Sequence, residues 1–381
     1  MNDFILHNPT KIIFGKTAMQ KIVEHLKPYG AKVLLTYGGG SIKKNGIYEK
    51  IIQQLAGFTV QEFSGIEPNP RIETLRKGIE IARAFQPDII LAVGGGSVID
   101  GSKLIAAATY YNGDAWDIVT NPDLNPSKYI PLATVLTLAA TGSEMNRGAV
   151  ISKWETHEKP AFGRNELYPV FSICDPQNLY SVPKDQTAYG IVDAYSHVLE
   201  QYINTTLDAP IQDRFSEGIL LTLIENALTA IQEPTNYTAR ANVMFSATMA
   251  LNNLIGVGVN QDWATHQIEH EFSAFYDIPH GAGLAIITPR WMEVVKDYKT
   301  AKFIQYGKRV WGISGDDEDI IANAIQKTYD FFASLGIKMS LKEWGIDNAH
   351  FPEMIQRLAG KAGKEKPLTA HEIQTILNNC L

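Results

Sequence analysis

The first 180 or so residues alternate between two hydrophobic rhythms. Short continuous apolar runs fall at 32–38 (KVLLTYG), 58–63 (FTVQEF), 87–96 (PDIILAVGGG), 129–138 (YIPLATVLTL) and 170–176 (VFSICDP). Between them lie stretches such as NGIYEKIIQQLAG and NPRIETLRKGIEIARAF, whose apolar positions recur at helical spacing. Apolar strands separated by helices of this length predict a parallel sheet covered on both faces. After SVPKDQT at 181–187 the strand rhythm stops. Segment 212–232 then sets Phe215, Ile219, Leu220, Leu223, Ile224, Ala227 and Leu228 on one predicted helical stripe. Helical patterns continue to the C-terminus, punctuated by Pro183 and Pro234, with no fixed repeat. A chain of 381 residues exceeds one average core. The expectation is an α/β, Rossmann-like domain over 1–182 and an all-α domain over 183–381, with the active site in the cleft between them.

Two of the predicted strands end in glycine. PDIILAV runs into Gly94-Gly95-Gly96-Ser97 and then into the helical VIDGSKLIAAAT. Glycines at such a junction let backbone approach an anion, and the new helix N-terminus offers unpaired N–H groups and a positive dipole end. Ser97 can either cap that helix or bond a phosphate, and Asp100 and Lys103 follow on its first turns. The pattern is neither GxGxxG nor GxxxxGK[ST], so it carries neither standard fingerprint. The earlier strand ends in Gly38-Gly39-Gly40-Ser41, followed by Lys43 and Lys44. Where a nucleotide-binding strand ends in a carboxylate, that group accepts a ribose 2′-OH. Its absence beside cations leaves room for a 2′-phosphate. Gly38, Gly39 and Ser41 therefore favour NADP(H) over NAD(H).

The second half carries the candidate metal chemistry. Of the 9 histidines, His197, His266, His270 and His280 stand out there by their spacing. Asp193 and His197 are four residues apart, as are His266 and His270, so each pair shares one helix face. His280 follows in IPHG. A carboxylate with several imidazoles and no thiolate suits a divalent first-row ion such as iron or zinc. Spacing alone leaves open which of the last three histidines bind it.

Composition narrows the class without naming a reaction. Hydrophobic residues make up 45% and charged residues 20%, ordinary for a soluble globular chain. A net charge of −7 argues against a nucleic-acid surface. The start shows no secretory pattern, and no run reaches the roughly 20 apolar residues of a membrane span. With only Cys174 and Cys380, no disulfide framework is expected, and the cytoplasm is the expected compartment.

The motifs YGGGSIKK, GIEPNP, AVGGGSVIDGSK, TLAATGSE, CDP, GIVDAYSHVLEQY and HQIEHEFSAFYDIPHG together resemble the metal-dependent, iron-containing (group III) alcohol dehydrogenases over essentially the whole chain. These are relatives of glycerol dehydrogenase and dehydroquinate synthase. YGGGS and QDWATH are similar to the NADPH-dependent butanol dehydrogenase and aldehyde reductase branch in particular. The resemblance implies the dehydroquinate synthase-like fold and a metal held by Asp193, His197, His266 and His280, with His270 beside substrate and nicotinamide as a proton relay. It also implies a pyrophosphate held by Gly95, Gly96 and Ser97 with Asp100 close by, and a cofactor lined by Thr137, Leu138 and Thr141. Many relatives carry a second Thr at the place of Leu138. Lys159, with Lys153 nearby, resembles a lysine beside the cofactor, and Asn69 a ribose contact. The implied reaction is NADP(H)-linked interconversion of aldehydes and primary alcohols over one Fe2+ or Zn2+, in a homodimer with no nucleic-acid or membrane partner. Phe272, Phe275, Tyr276 and Ile278 around the histidines suggest small apolar substrates. The rivals are a phosphate-eliminating lyase of the dehydroquinate synthase type, which should need several cations to grip its substrate, and a non-catalytic metal-binding protein on the same scaffold.

Overall fold

A computed structural model describes residues 1–381. Every strand lies in the first half: β1 (Lys11–Phe14), β2 (Lys32–Tyr37), β3 (Thr59–Phe63), β4 (Ile89–Gly94), β5 (Leu132–Leu136), β6 (Gly148–Val150), β7 (Ala161–Gly163) and β8 (Phe171–Cys174). Six of them form one sheet in the order β1-β8-β5-β4-β2-β3, with all neighbours parallel. β6 and β7 make a separate antiparallel hairpin. β4 is buried along its whole length, which is why its sequence is a solid apolar run rather than an alternation. Two elements escape the apolar rhythm. β1 (KIIF) has one buried residue in four and pairs only with β8, and the hairpin strands are three residues each.

The chain divides into two compact units. One is His7–Val182 with Pro234–Met244, and the other is Met1–Leu6, Pro183–Glu233 and Phe245–Leu381. In the first, β2 leads outward to β3, whereas β4 lies on the other side of β2 and leads to β5. The winding direction therefore reverses between β2 and β4, whose carboxyl ends carry the two glycine turns. Tyr37 of β2 is in register with Val93 of β4, so those turns emerge side by side. A switch point of this kind is where doubly wound sheets bind ligands.

The second unit is helical. Its long helices span Lys184–Tyr202, Pro210–Gln232, Ala264–Tyr276, His280–Val295 and Asp317–Ser334. The stripe expected on the second of these is rotated. Leu220, Leu223 and Ala227 are buried, but Phe215 and Leu228 are 45% and 43% exposed. Polar side chains take the buried positions instead. Asp213 pairs with Lys302, and Glu217 accepts from Tyr202 (3.0 Å) and Arg309 (3.0 Å). Buried carboxylates with partners outweigh the apolar count as guides to the inward face here. No helix is long and apolar enough to cross a membrane.

Candidate active site

The Lys184–Tyr202 helix starts after Pro183 and is buried along its length from Gly190 to Tyr202, so Asp193 and His197 lie inside the helical unit at 3% and 4% exposure. His266 projects from the first turn of the Ala264–Tyr276 helix, and Asp277 in a left-handed conformation (φ 52°) ends that helix. His280 opens the next helix. Ligand atoms of Asp193, His266 and His280 all lie within 4.8 Å of one another. Asp193 Oδ1 is 3.4 Å from His197 Nδ1, 3.5 Å from His280 Nε2 and 3.9 Å from His266 Nε2. His197 stacks on His266 with ring centroids 4.5 Å apart. His270 falls in a neighbouring group with Glu269 and His280, its ring 5.7 Å from that of His280.

Three buried atoms at this point make no hydrogen bond: Asp193 Oδ1, His197 Nδ1 and His266 Nε2. A buried acceptor normally has a partner, so three orphans converging on one place need a common one. One carboxylate oxygen and imidazole nitrogens are the donor set of a divalent first-row cation, and the residues fit such an ion. The electrostatics of Asp193 and His197 agree with this donor set. Burial opposes ionisation of Asp193, yet His197, His280 and His266 hold its carboxyl well below the usual range. Burial pushes His197 down to about 3, leaving a neutral imidazole with a free lone pair. Against its own burial, Asp193 and Glu200 raise His266 to about 9.

Two carboxylates that the sequence reading passed over stand behind this cluster. Glu200 accepts from the backbone N–H groups of Trp263 (2.8 Å) and Thr265 (2.7 Å) at the start of the His266 helix, and lies 3.5 Å from His266 Nδ1. Glu269 bonds Nδ1 of His280 and takes a hydrogen bond from Ser273. A signal was present. Each acid sits three residues after a histidine with no Lys or Arg one turn away, so on a helix only the histidine face could satisfy it. Gly281 and Gly283 also matter: a Cβ on Gly281 would lie 2.6 Å from the Tyr189 carbonyl carbon, and one on Gly283 would lie 2.8 Å from Glu269 Cγ. The absence of side chains lets the His280 helix press onto both its neighbours.

In the α/β unit, Gly95 and Ser97 are partly exposed at the end of β4, and the Gly96–Ala108 helix begins there. A Cβ on Gly96 would lie 2.5 Å from Thr141 Cγ2, and one on Gly95 would lie 2.8 Å from Leu138 Cβ. The glycine turn therefore packs directly against the segment of Thr137, Leu138 and Thr141, and Thr137 N donates to Gly94 O (3.0 Å). Asp100 is buried, and its carboxylate accepts from Ser143 Oγ (2.5 Å) and Val150 N (2.8 Å). Lys103, wholly buried beside it, donates to Ser143 O, Ser143 Oγ, Asn146 Oδ1 and Gly148 O. Both tie the helix to the 143–150 segment. Asn69 holds a left-handed backbone (φ 52°), and Lys159 is half-buried just before β7. At the end of β2, Gly39 and Ser41 are exposed, with open space around Gly39. Lys43 lies over the rings of Tyr37 (5.0 Å) and Tyr48 (4.5 Å), 3.8 Å from Glu62.

The aromatic residues around the histidines do not form an open wall. Phe272 (0% exposed) and Ile278 (2%) belong to the core, Phe275 stacks on His350 at 4.7 Å, and Tyr276 donates to Asp347 O. The Ala264–Tyr276 helix turns its three aromatics onto these partners and Ile278 is buried in the turn beyond it, so they carry no argument about substrate.

Residues 9–176 match the family described as iron-containing alcohol dehydrogenase, and residues 187–381 match its C-terminal domain family. The chain belongs to the iron-containing alcohol dehydrogenase family. It is 48% identical over 361 residues to the NADPH-dependent aldehyde reductase YqhD of Escherichia coli, covering 94% of this chain and 93% of that one. It is 45% identical over 377 residues to NADH-dependent butanol dehydrogenase A of Clostridium acetobutylicum, covering 97% of each. The crystal structure of NADH-dependent butanol dehydrogenase A from Thermotoga maritima superposes with a TM-score of 0.96 at 39% identity, covering 100% of this chain and 99% of that one. Membership brings a nicotinamide cofactor and a metal, while the relatives divide between NADPH and NADH.

Proposed function

We propose that this chain is a metal-dependent, NADP(H)-linked aldehyde reductase that interconverts short- to medium-chain aldehydes and primary alcohols. The carrying observation is the convergence of three orphaned buried donors, from Asp193, His197 and His266, on the place that Nε2 of His280 also faces. In this reading Asp193, His197, His266 and His280 hold one Fe2+ or Zn2+ in the helical half (183–381). When bound, that ion supplies Lewis-acid stabilisation of negative charge on the substrate oxygen. The nicotinamide supplies or accepts the hydride.

The chain's own residues bind and orient. Backbone N–H groups of Gly95, Gly96 and Ser97 take the pyrophosphate in the α/β half (1–182). Thr137, Leu138 and Thr141 line the cofactor, with Asn69 at a ribose and Lys159 alongside. Asp100 acts by fixing the helix behind the turn. Gly38, Gly39 and Ser41 leave room for a 2′-phosphate, and the open space at Gly39 supports NADP(H). His270, one turn after His266, exchanges the proton of the hydroxyl group, a task suited to imidazole. The free, buried Cys174 and Cys380 agree with a reducing cytoplasm, and a homodimer is the proposed assembly.

The test is NADPH oxidation over straight-chain C3 to C8 aldehydes beside a carboxylated and a phosphorylated substrate. A graded aldehyde profile is expected, because one methylene typically changes discrimination by only ~1–3 kcal/mol. A strong preference for the charged substrates would overturn the proposal.

A further inference from the structure

Glu269 is fully buried, on the inward face of the Ala264–Tyr276 helix three residues beyond His266. A carboxylate in that position is costly unless its oxygens are taken. One oxygen, Oε1, accepts from Ser273 Oγ, whose hydroxyl also lies 3.2 Å from Ile278 O in the turn between the helices. The other, Oε2, bonds Nδ1 of His280 on the following helix. Gly283, one turn further along that helix, leaves the space the carboxylate fills, since a Cβ there would stand 3.0 Å from Oε1. The acid is thus held from one side by its own helix and grips the ring of a residue on the next.

The consequence lies in the two ring nitrogens of His280. A carboxylate at Nδ1 accepts a proton there, so the lone pair is left on Nε2, and Nε2 is the atom that faces Asp193 Oδ1 at 3.5 Å. His280 needs such a fixture more than its partners. It is the first residue of its helix, preceded by Pro279, and its side chain is 23% exposed, whereas those of Asp193, His197 and His266 are 4%, 5% and 8% exposed. We propose that Glu269 is a positioning residue of the metal centre: through Nδ1 it fixes the tautomer and ring plane of His280 and so makes Nε2 available to the ion. This rests on the metal reading above.

The test uses the full chain loaded with Zn2+, with metal affinity measured by chelator competition and the melting temperature of the chelator-stripped protein measured alongside. Partners of this kind commonly contribute 10–100-fold in metal affinity. Glu269→Ala should therefore weaken Zn2+ binding by about 10–100-fold. Glu269→Gln, whose amide oxygen can still accept from Nδ1, should recover much of that loss. Ser273→Ala, a milder change that only loosens Oε1, should weaken binding several-fold and keeps the idea testable if Glu269→Ala does not fold. Unaltered Zn2+ affinity in Glu269→Ala, or in Ser273→Ala where Glu269→Ala does not fold, with only the melting temperature of the stripped protein lowered, would overturn the inference and leave Glu269 a packing residue. If the unsubstituted chain itself takes up no divalent ion, the metal reading fails first. Normal uptake by the parent together with normal uptake by the variants sinks this inference alone.

Discussion

Gly281→Ala is the sharpest perturbation the helical unit offers. An added Cβ would sit 2.6 Å from the carbonyl carbon of Tyr189 and 2.8 Å from its Cα, backbone atoms of the Lys184–Tyr202 helix that cannot swing aside as a side chain can. Carbon–carbon contacts settle at about 3.5–4.0 Å, so the His280 helix must retreat by roughly 1 Å. His280 is the adjacent residue and moves with it, while metal–ligand distances tolerate only about 0.2 Å. Overpacking of this kind also costs about 1–3 kcal/mol of stability. The expected result is a folded protein with a lower melting temperature, metal content well below one ion per chain, and aldehyde-dependent NADPH oxidation reduced at least tenfold. Gly218→Ala is the matched control. Gly218 lies in the Pro210–Gln232 helix with nothing within 4 Å of a built Cβ, so the change should be neutral or stabilising by about 0.5–1 kcal/mol. Elemental analysis, calorimetric melting and steady-state kinetics on the three proteins decide it. A Gly281→Ala protein with full metal and parental turnover would refute the close-packing argument.

Other expectations follow from single features. Gly39→Asp should move kcat/KM from NADPH toward NADH by roughly tenfold or more, a like-charge penalty of about one to a few kcal/mol. Gly39 is the better position than Gly38, where a Cβ would press on Ile66 O at 3.1 Å, and an unchanged cofactor ratio would place the 2′-phosphate elsewhere. His266→Ala should lose the metal and nearly all turnover, whereas His270→Ala should keep the metal and react more slowly; the reverse metal contents would exchange the two assignments. Burial pushes Lys103 down to about 8 despite Asp100 and Glu144. Between that value and the ordinary lysine value of about 10.4, the unfolded chain binds more protons than the folded one, so stability attributable to Lys103 rises with pH across that window. Urea titrations should show the parent gaining on Lys103→Met from pH 8 to 10, and a flat difference would contradict this.

The strands of the main sheet were legible wherever burial on both faces left a solid apolar run, as in β2, β4 and β5. β1 escaped because a four-residue strand is too short to stand out, and the hairpin because three residues make no period. The stripe on the Pro210–Gln232 helix was turned by Asp213 and Glu217, whose partners Lys302, Tyr202 and Arg309 are remote in sequence. At the histidine cluster the spacing drew attention to side chains that the fold gathers in one place, yet spacing alone could not separate His270 from His266 and His280. Glu200 and Glu269 were visible as helical acids lacking a cationic neighbour, but their targets depend on how three helices pack. The glycine turns were plain in the sequence. Their adjacency at the switch point is a property of strand order, which apolar rhythm does not encode. The aromatic residues near His270 lend no separate support to a substrate class, because a run of large side chains does not say which way its helix faces.

The most direct test of the account is turnover of butanal with NADPH by one preparation, assayed as loaded, after chelator stripping to less than a tenth of an ion per chain, and after return of Fe2+ or Zn2+. The account predicts that activity falls in proportion to the metal removed and returns with it, while the stripped protein still binds NADPH. Undiminished butanal reduction by the metal-free protein, or none by protein carrying one ion per chain, would contradict it.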